Sequence, residues 1–253
     1  MQSIEDFKEV VEILRAHKIE IWADLGALLG FERERSLLEW EEDIDCGTLV
    51  KPEAFADIDL QNALMEKGWK CFNKYKGLAI QNGKTKIDIK FYTEEDDSVY
   101  AYFVVYKHRW ILPICDLLIW GLYGYKAEDK YETTINSNML RFICFIVKLP
   151  PLTMRKRFIS ILQRVYYNYG LKGHKIKFPR SWILPLCVKT IDGFPFRIPA
   201  QPKKILELTY GDNWKKPQKI IPGTDRYPDG SSRYLTVRVI EKRPDLVEVE
   251  KYA

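Results

Sequence analysis

The sequence predicts an α/β chain. Stretches with apolar residues at helical spacing alternate with short runs of β-branched and aromatic residues bounded by Gly, Asn and Pro. The composition agrees: 253 residues, 46% apolar and 30% charged, are enough for one large core or two small ones and exclude wholesale disorder.

Each element has its own signal. Ile4, Phe7, Val10, Val11 and Leu14 fall at helical spacing over residues 4–17, with Ser3 as the N-cap. Ile19–Ala23 reads as a short strand, and Leu25 to Gly30, small and with two glycines, as a tight turn into a helix. Ile44–Leu49 reads as a second strand. Pro52 opens a helix over 53–67 that Gly68 ends. Trp69–Tyr75, Leu78–Gln81 and Lys84–Tyr92 read as strands, the last two joined by an Asn82-Gly83 hairpin turn. On the last strand Ile87, Ile89 and Phe91 face one way, and Lys86, Asp88 and Lys90 the other. The run Glu94 to Asp97 reads as a solvated loop. Residues 139–168 are expected to be helical with a break at Pro150-Pro151, residues 202–210 form a helix ended by Gly211, and Tyr234–Ile240 is a candidate strand. No internal repeat is visible.

Charge is unevenly placed. The formal net charge is +5, yet residues 133–191 hold eleven Lys/Arg and no Asp or Glu, which leaves −6 on the rest. Such a segment is drawn to phosphates, whether of lipid, nucleotide or nucleic acid. Within it, Arg155, Lys156, Arg157 and Arg164 interleave with Phe158, Ile159, Ile161, Leu162, Val165 and Tyr166. That pattern is shared by a helix lying on an anionic membrane and by an ordinary surface helix. No recognition motif accompanies the charge, so nucleic acid is not an expected partner. No uncharged apolar run nears the roughly 18 residues of a spanning helix. Met1 to Asp6 lacks the basic and apolar regions of a secretory leader. Five cysteines lie 25, 44, 29 and 43 residues apart with no C-x-x-C, and there are three histidines. Buried or free thiols in a reducing, cytoplasmic setting fit this spacing better than zinc or a disulfide framework.

Asp43-Ile44-Asp45 is the sharpest chemical signal. On a strand the two carboxylates share a face, about 6–7 Å apart, while Ile44 faces a core. Two acids so placed repel unless a cation lies between them, and oxygen-only ligands suit Mg²⁺ or Mn²⁺. Asp88, opposite the isoleucines of its own strand, is a third acid of the same kind. An exposed acidic strand end is the ordinary alternative. Gly26 and Gly30 can let backbone N–H groups approach a phosphate, and Arg33 can fork onto it. Packing against a neighbour is the alternative for both glycines.

Four ordered stretches, Asp24 to Arg33, Glu39 to Asp45, Lys86 to Tyr92 and Leu208 to Pro217, together resemble motifs of the LicD/fukutin family. Asp24 to Arg33 is similar to its G-[ST]-L-L-G-x-x-R signature, and Glu39-Trp40-Glu41-Glu42-Asp43-Ile44-Asp45 to its P-W-D-D-D-h-D motif. Lys86 to Tyr92 resembles the later h-D-h-F strand, and Leu208 to Pro217 the closing L-x-x-x-Y-G-x-x-W-x-x-P. Ala27, Glu39, Glu41 and Glu42 depart from these patterns. The resemblance implies a nucleotidyltransferase-like mixed sheet flanked by helices. It also implies transfer of a phospho-alcohol, of phosphocholine or ribitol-phosphate type, from a CDP-activated donor to a glycan hydroxyl.

On that basis Asp43, Asp45 and Asp88 are the expected catalytic and metal-binding residues, with Mg²⁺ or Mn²⁺ as cofactor. Gly26, Gly30, Arg33, Lys86 and Lys90 are expected on the donor, and Asp88 is the best candidate base. His17, His108 and His174 lie outside every motif. The expected organisation is a catalytic core at 1–132, a basic helix-rich segment at 133–191, and a part at 192–253 that completes the core. Two other functions share these features: an idle membrane- or glycan-binding protein on the same fold, and an enzyme moving an NMP group.

Overall fold

The computed structural model describes residues 3–38, 41, 43–74, 76–106, 118, 122, 151–165, 171–217, 238–239, 241 and 243–249. It divides into two compact units, Met1–Phe103 with Lys175–Glu248, and Val104–His174 with Val249–Ala253. The first unit takes in Lys175–Ile191, which charge alone grouped with the basic segment.

The first unit opens with helix α1, Ile4–Ala16, whose buried face is Phe7, Val10, Val11 and Leu14. Ser3 caps it by accepting from the Asp6 N–H at 3.2 Å. Strand β1 is shorter than expected, Trp22–Ala23. Ile19 and Ile21 are buried beside it, but the Glu20 carbonyl accepts from the Thr48 hydroxyl at 2.7 Å. Helix α2 spans Leu25–Arg33 with Asp24 as N-cap. Gly26 and Gly30 therefore lie inside a helix and not in a turn before it. A close neighbour at each position, described below, explains the small residues.

Strand β2, Ile44–Thr48, is followed by a 3-10 turn at Pro52–Ala56 and helix α3, Ile58–Glu66. The single expected helix is split because Asp57 turns out of line and caps α3, accepting from Asp59 and Leu60 N–H groups. Gly68, at φ +84°, ends the segment as expected. Strands β3, Lys70–Lys74, β4, Gly77–Gln81, and β5, Lys86–Glu95, follow. Between β4 and β5, the Asn82 side chain accepts from the Lys84 and Thr85 N–H groups, and Gly83 takes φ +87°. Strand β6 is Ser98–Tyr106. The acidic run is not a free loop: Glu94 and Glu95 belong to β5 and only Asp96-Asp97 turn. They are held there by charge. Glu95 pairs with Lys175 at 2.8 Å and Lys177 at 2.9 Å, and Glu94 with Arg180 at 3.0 Å.

Helix α4 is Leu152–Val165, within the segment expected to be helical; residues 139–150 and 166–168 lie outside the described residues. Strand β7, Leu171–Pro179, leads to a single helical turn α5, Arg180–Ile183, and then to the hairpin β8, Cys187–Ile191, and β9, Phe194–Ile198. Helix α6, Pro202–Tyr210, ends at Gly211, φ +82°. Strand β10 is Val247–Val249. At the candidate strand 234–240, Arg238 and Val239 are helical, and the Arg243 N–H donates to the Val239 carbonyl at 2.7 Å. So brief an alternation of apolar residues fits one helical turn as well as a strand.

The strands run in the order β10-β7-β6-β5-β2-β1-β9-β8, with β4 on β5 and β3 on β4. Pairing is mixed. β1 is antiparallel to β2 and parallel to β9, and β2 is parallel to β5. The fold is thus an α/β mixed sheet with helices packed on it. Phe7 of α1, Phe31 of α2 and Phe196 of β9 close one layer of the core, with ring centroids 4.8–6.3 Å apart. Among the described residues Cys46, Cys71 and Cys187 are free thiols, and no helix is long and apolar enough to cross a membrane.

Candidate active site

The parallel register of β2 and β5 sets Ile44 opposite Ile87, Asp45 opposite Asp88 and Cys46 opposite Ile89. Ile44, Cys46, Ile87 and Ile89 are buried. The alternation of a strand then sends Asp43, Asp45, Lys86, Asp88 and Lys90 to the other face. Two acids that are 43 residues apart in the chain become lateral neighbours. Asp24 joins them because β1 lies on the far side of β2, with the Asp24 N–H donating to the Asp45 carbonyl at 3.0 Å.

Charge on this face is arranged around two lysines. The Lys86 ammonium lies 2.9 Å from an Asp43 oxygen and 3.4 Å from an Asp88 oxygen. Burial pulls its pKa down, but Asp88 and Asp43 outweigh that and hold it above the ordinary lysine range. Lys90 lies 3.8 Å from Asp24 and over the Phe103 ring at 4.1 Å. Asp24 is almost fully buried, and accepts from the Tyr92 hydroxyl at 2.7 Å and from the Leu25 N–H at 3.0 Å. Burial first and Asp24 second keep the Tyr92 phenol protonated to well above its usual range, so it remains a donor. Leu25 pays for this geometry with φ +37°, an uncommon value for a leucine.

Asp45 lies at the start of α2, where the Gly26 N–H donates to it at 3.3 Å. Its carboxyl is raised well above the usual range by burial and then by Asp43, with Asp24 and Asp88 adding to this and Lys90 opposing it. Burial, followed by Asp45, Asp24 and Asp88, also raises the Cys46 thiol, which stays neutral on the opposite face.

The glycines differ. A Cβ on Gly26 would stand 3.2 Å from Glu41 Cδ and 3.4 Å from an Asp45 oxygen, so Gly26 lets two carboxylates approach the helix. A Cβ on Gly30 would stand 2.5 Å from the Ser36 carbonyl oxygen and 3.1 Å from Leu38 Cγ. Gly30 is thus set against the returning chain, away from the acids. Arg33 also points elsewhere, to Glu34 at 2.8 Å and the Trp214 carbonyl at 3.4 Å. It links the first of the four sequence motifs to the last. Glu39, Trp40 and Glu42 lie outside the described residues.

Of the eight candidate residues, Gly26, Asp43, Asp45, Lys86, Asp88 and Lys90 come together, and Gly30 and Arg33 stand apart. Sequence reasoning missed Asp24 and Tyr92. The available signal was an Asp directly before the helix start, an N-cap that also belongs to the cluster. Beside Gly26, Ala27, Leu37, Leu38, Glu41, Asp43 and Ile44 line a small cleft. His17 caps α1, its Nδ1 2.9 Å from the Ile13 carbonyl, and His174 is buried.

The donor set is oxygen-only and its four aspartates exceed its two lysines, which fits a hard divalent cation in chemistry and charge. Among the described residues, no three His, Cys, Asp or Glu side chains are grouped closely enough to hold a metal. The Lys86 ammonium takes the place between Asp43 and Asp88.

No family model matches the chain, and no curated protein matches it. A solved structure similar in part is the solution structure of the antibiotic-resistance factor ANT(2'')-Ia. It is 12% identical, with 63% of this chain and 90% of that chain covered and a TM-score of 0.31.

Proposed function

We propose that the chain is a metal-dependent transferase that moves a phospho-alcohol from a CDP-activated donor to a glycan hydroxyl. The observation that supports this best is the register of Asp45 with Asp88 beside the start of α2. It sets two carboxylates side by side where a pyrophosphate with its counter-ion can be received. The order of the sequence motifs supplies the substrate class, and the nucleotidyltransferase-like form of the fold is part of the same proposal.

Asp45 and Asp88 would hold Mg²⁺ or Mn²⁺, joined by Asp43 when Lys86 is displaced from it. When bound, the ion neutralises the pyrophosphate and stabilises the departing phosphate. Lys86 and Lys90 flank Asp88 on the same strand face and hold the donor's phosphate oxygens. The acceptor oxygen forms a bond to the phosphorus that carries the alcohol, the bond from that phosphorus to CMP breaks, and Asp88 takes the acceptor proton. Asp24, fixed by Tyr92, keeps Lys90 in position without touching the substrate.

The test is CMP release from CDP-choline and CDP-ribitol with Mg²⁺ or Mn²⁺ and a glycan acceptor. Asp45→Asn and Asp88→Asn are expected to lower turnover by at least about a hundredfold, as for loss of a group that stabilises transition-state charge. Pyrophosphate release from CTP, with no CMP from either CDP-alcohol, would show an NMP transferase instead. Unchanged turnover in both variants would remove the acids from the reaction.

A further inference from the structure

Helix α4 has two apolar sides. Ile159 is buried, which accounts for one of them. The other is bare: Met154, Phe158 and Ile161 are 50%, 47% and 57% exposed. They follow one another at i, i+4 and i+7 and so form a single stripe along the helix. Half-buried Val165 continues it. An ordinary surface helix turns its charged side outward, and this one turns outward a row of large apolar groups.

The helix also carries Arg155, Lys156, Arg157 and Arg164 and no acidic residue. Among the described residues of the basic segment that follow the helix, four basic side chains are matched. Lys175 and Lys177 meet Glu95 and Glu248, Arg180 meets Glu94, and Lys189 meets Glu32 at 2.6 Å. Arg155 and Arg157 meet no carboxylate among the described residues. Among the described side chains, the unmatched positive charge of the segment is therefore on α4, and Arg157 lies beside the apolar stripe, four residues before Ile161.

We propose that α4 is an interfacial helix that lies on an anionic lipid surface. The stripe enters the acyl boundary, and Arg157 and Arg164, which helical spacing sets on its flank, meet lipid phosphates. Positive charge alone would suit nucleic acid equally, but nucleic acid offers no apolar phase for Met154, Phe158 and Ile161. This inference is independent of the chemistry assigned to Asp45 and Asp88.

The test is flotation of the full chain with vesicles of phosphatidylglycerol and phosphatidylcholine, against phosphatidylcholine alone, at low salt. Wild type is expected to float with the anionic vesicles only and to be released as salt is raised. Replacing Arg157 and Arg164 by Gln is expected to weaken binding about thirtyfold, from about 1 kcal/mol per basic residue. Phe158→Ser is expected to weaken binding to the same vesicles, with a circular-dichroism melt matching wild type. Four results would overturn the proposal: no flotation at low salt, equal flotation with phosphatidylcholine, undiminished binding by Phe158→Ser, or a concentration-dependent dimer that Phe158→Ser abolishes while no vesicle is bound. Salt-sensitive binding to duplex DNA without vesicle binding would likewise assign the charge to nucleic acid.

Discussion

Burial and the nearby Asp43, Asp24 and Asp88 outweigh Lys90 at the Asp45 carboxyl, so the folded protein keeps its proton to a higher pH than the unfolded chain does. The sign of the consequence follows from linkage. Between the unfolded carboxylate value near about 4 and the raised folded one, the native state binds more protons, so stability falls as pH rises through that window. Above the folded pKa it stays lower. Asp45→Asn removes the titrating group and keeps an oxygen for the Gly26 N–H. The variant is expected to melt above wild type at pH 7–8 without divalent ions, with the difference shrinking towards pH 4. Each pH unit of the window is worth about 1.4 kcal/mol. Thermal melts in chelator across that range measure it, and equal melting curves at pH 8 would mean that the site does not penalise the charge. The acids were legible in the sequence because period-two alternation places Asp43 with Asp45, and Lys86 with Asp88. Asp24 and Tyr92 were not, since their hydrogen bond joins positions 68 residues apart that only the sheet order brings together.

At the scale of elements, α2 shows how one pattern of residues can serve two ends. Both glycines face something close, but Gly26 faces the ends of acidic side chains and Gly30 faces main chain. Side-chain ends can shift and a backbone carbonyl 2.5 Å away cannot. Gly30→Ala is thus expected to cost about 1–3 kcal/mol of stability, as overpacking does, and to leave turnover per folded molecule near wild type. Gly26→Ala is expected to melt close to wild type and to lose turnover, because Glu41 and Asp45 must move. Urea unfolding and CMP release on the same samples separate the two, and reversal of that ranking would overturn the division of roles. Sequence spacing located both glycines and could not tell them apart, because what each faces is set by Ser36, Leu38, Glu41 and Asp45 returning across the helix. The split of the expected helix at 53–67 has a similar origin. Asp57 has low helix propensity and a stronger use as the cap of α3.

For the whole molecule, the proposed cation gives a measurement that needs no substrate. A ligand that binds only the folded state raises stability by RT ln(1 + [L]/Kd), about 2.7 kcal/mol at a hundredfold excess over Kd. Millimolar Mg²⁺ or Mn²⁺ is expected to raise the melting temperature of wild type and to do so less for Asp88→Ala. Melting indifferent to both ions would leave Lys86 as the site's resident cation. The sheet order bears on when this site can exist at all. β1, which carries Asp24 to the cluster, lies between β2 and β9, and Trp22 pairs with Arg197 across most of the chain. The Arg33 guanidinium waits equally for the Trp214 carbonyl. A ribosome that has delivered all four aspartates has therefore not yet delivered a strand that flanks β1. During synthesis the acids of β2 and β5 can meet early, but β1 and its Asp24 lack one of their two flanking strands until residues 194–198 have emerged.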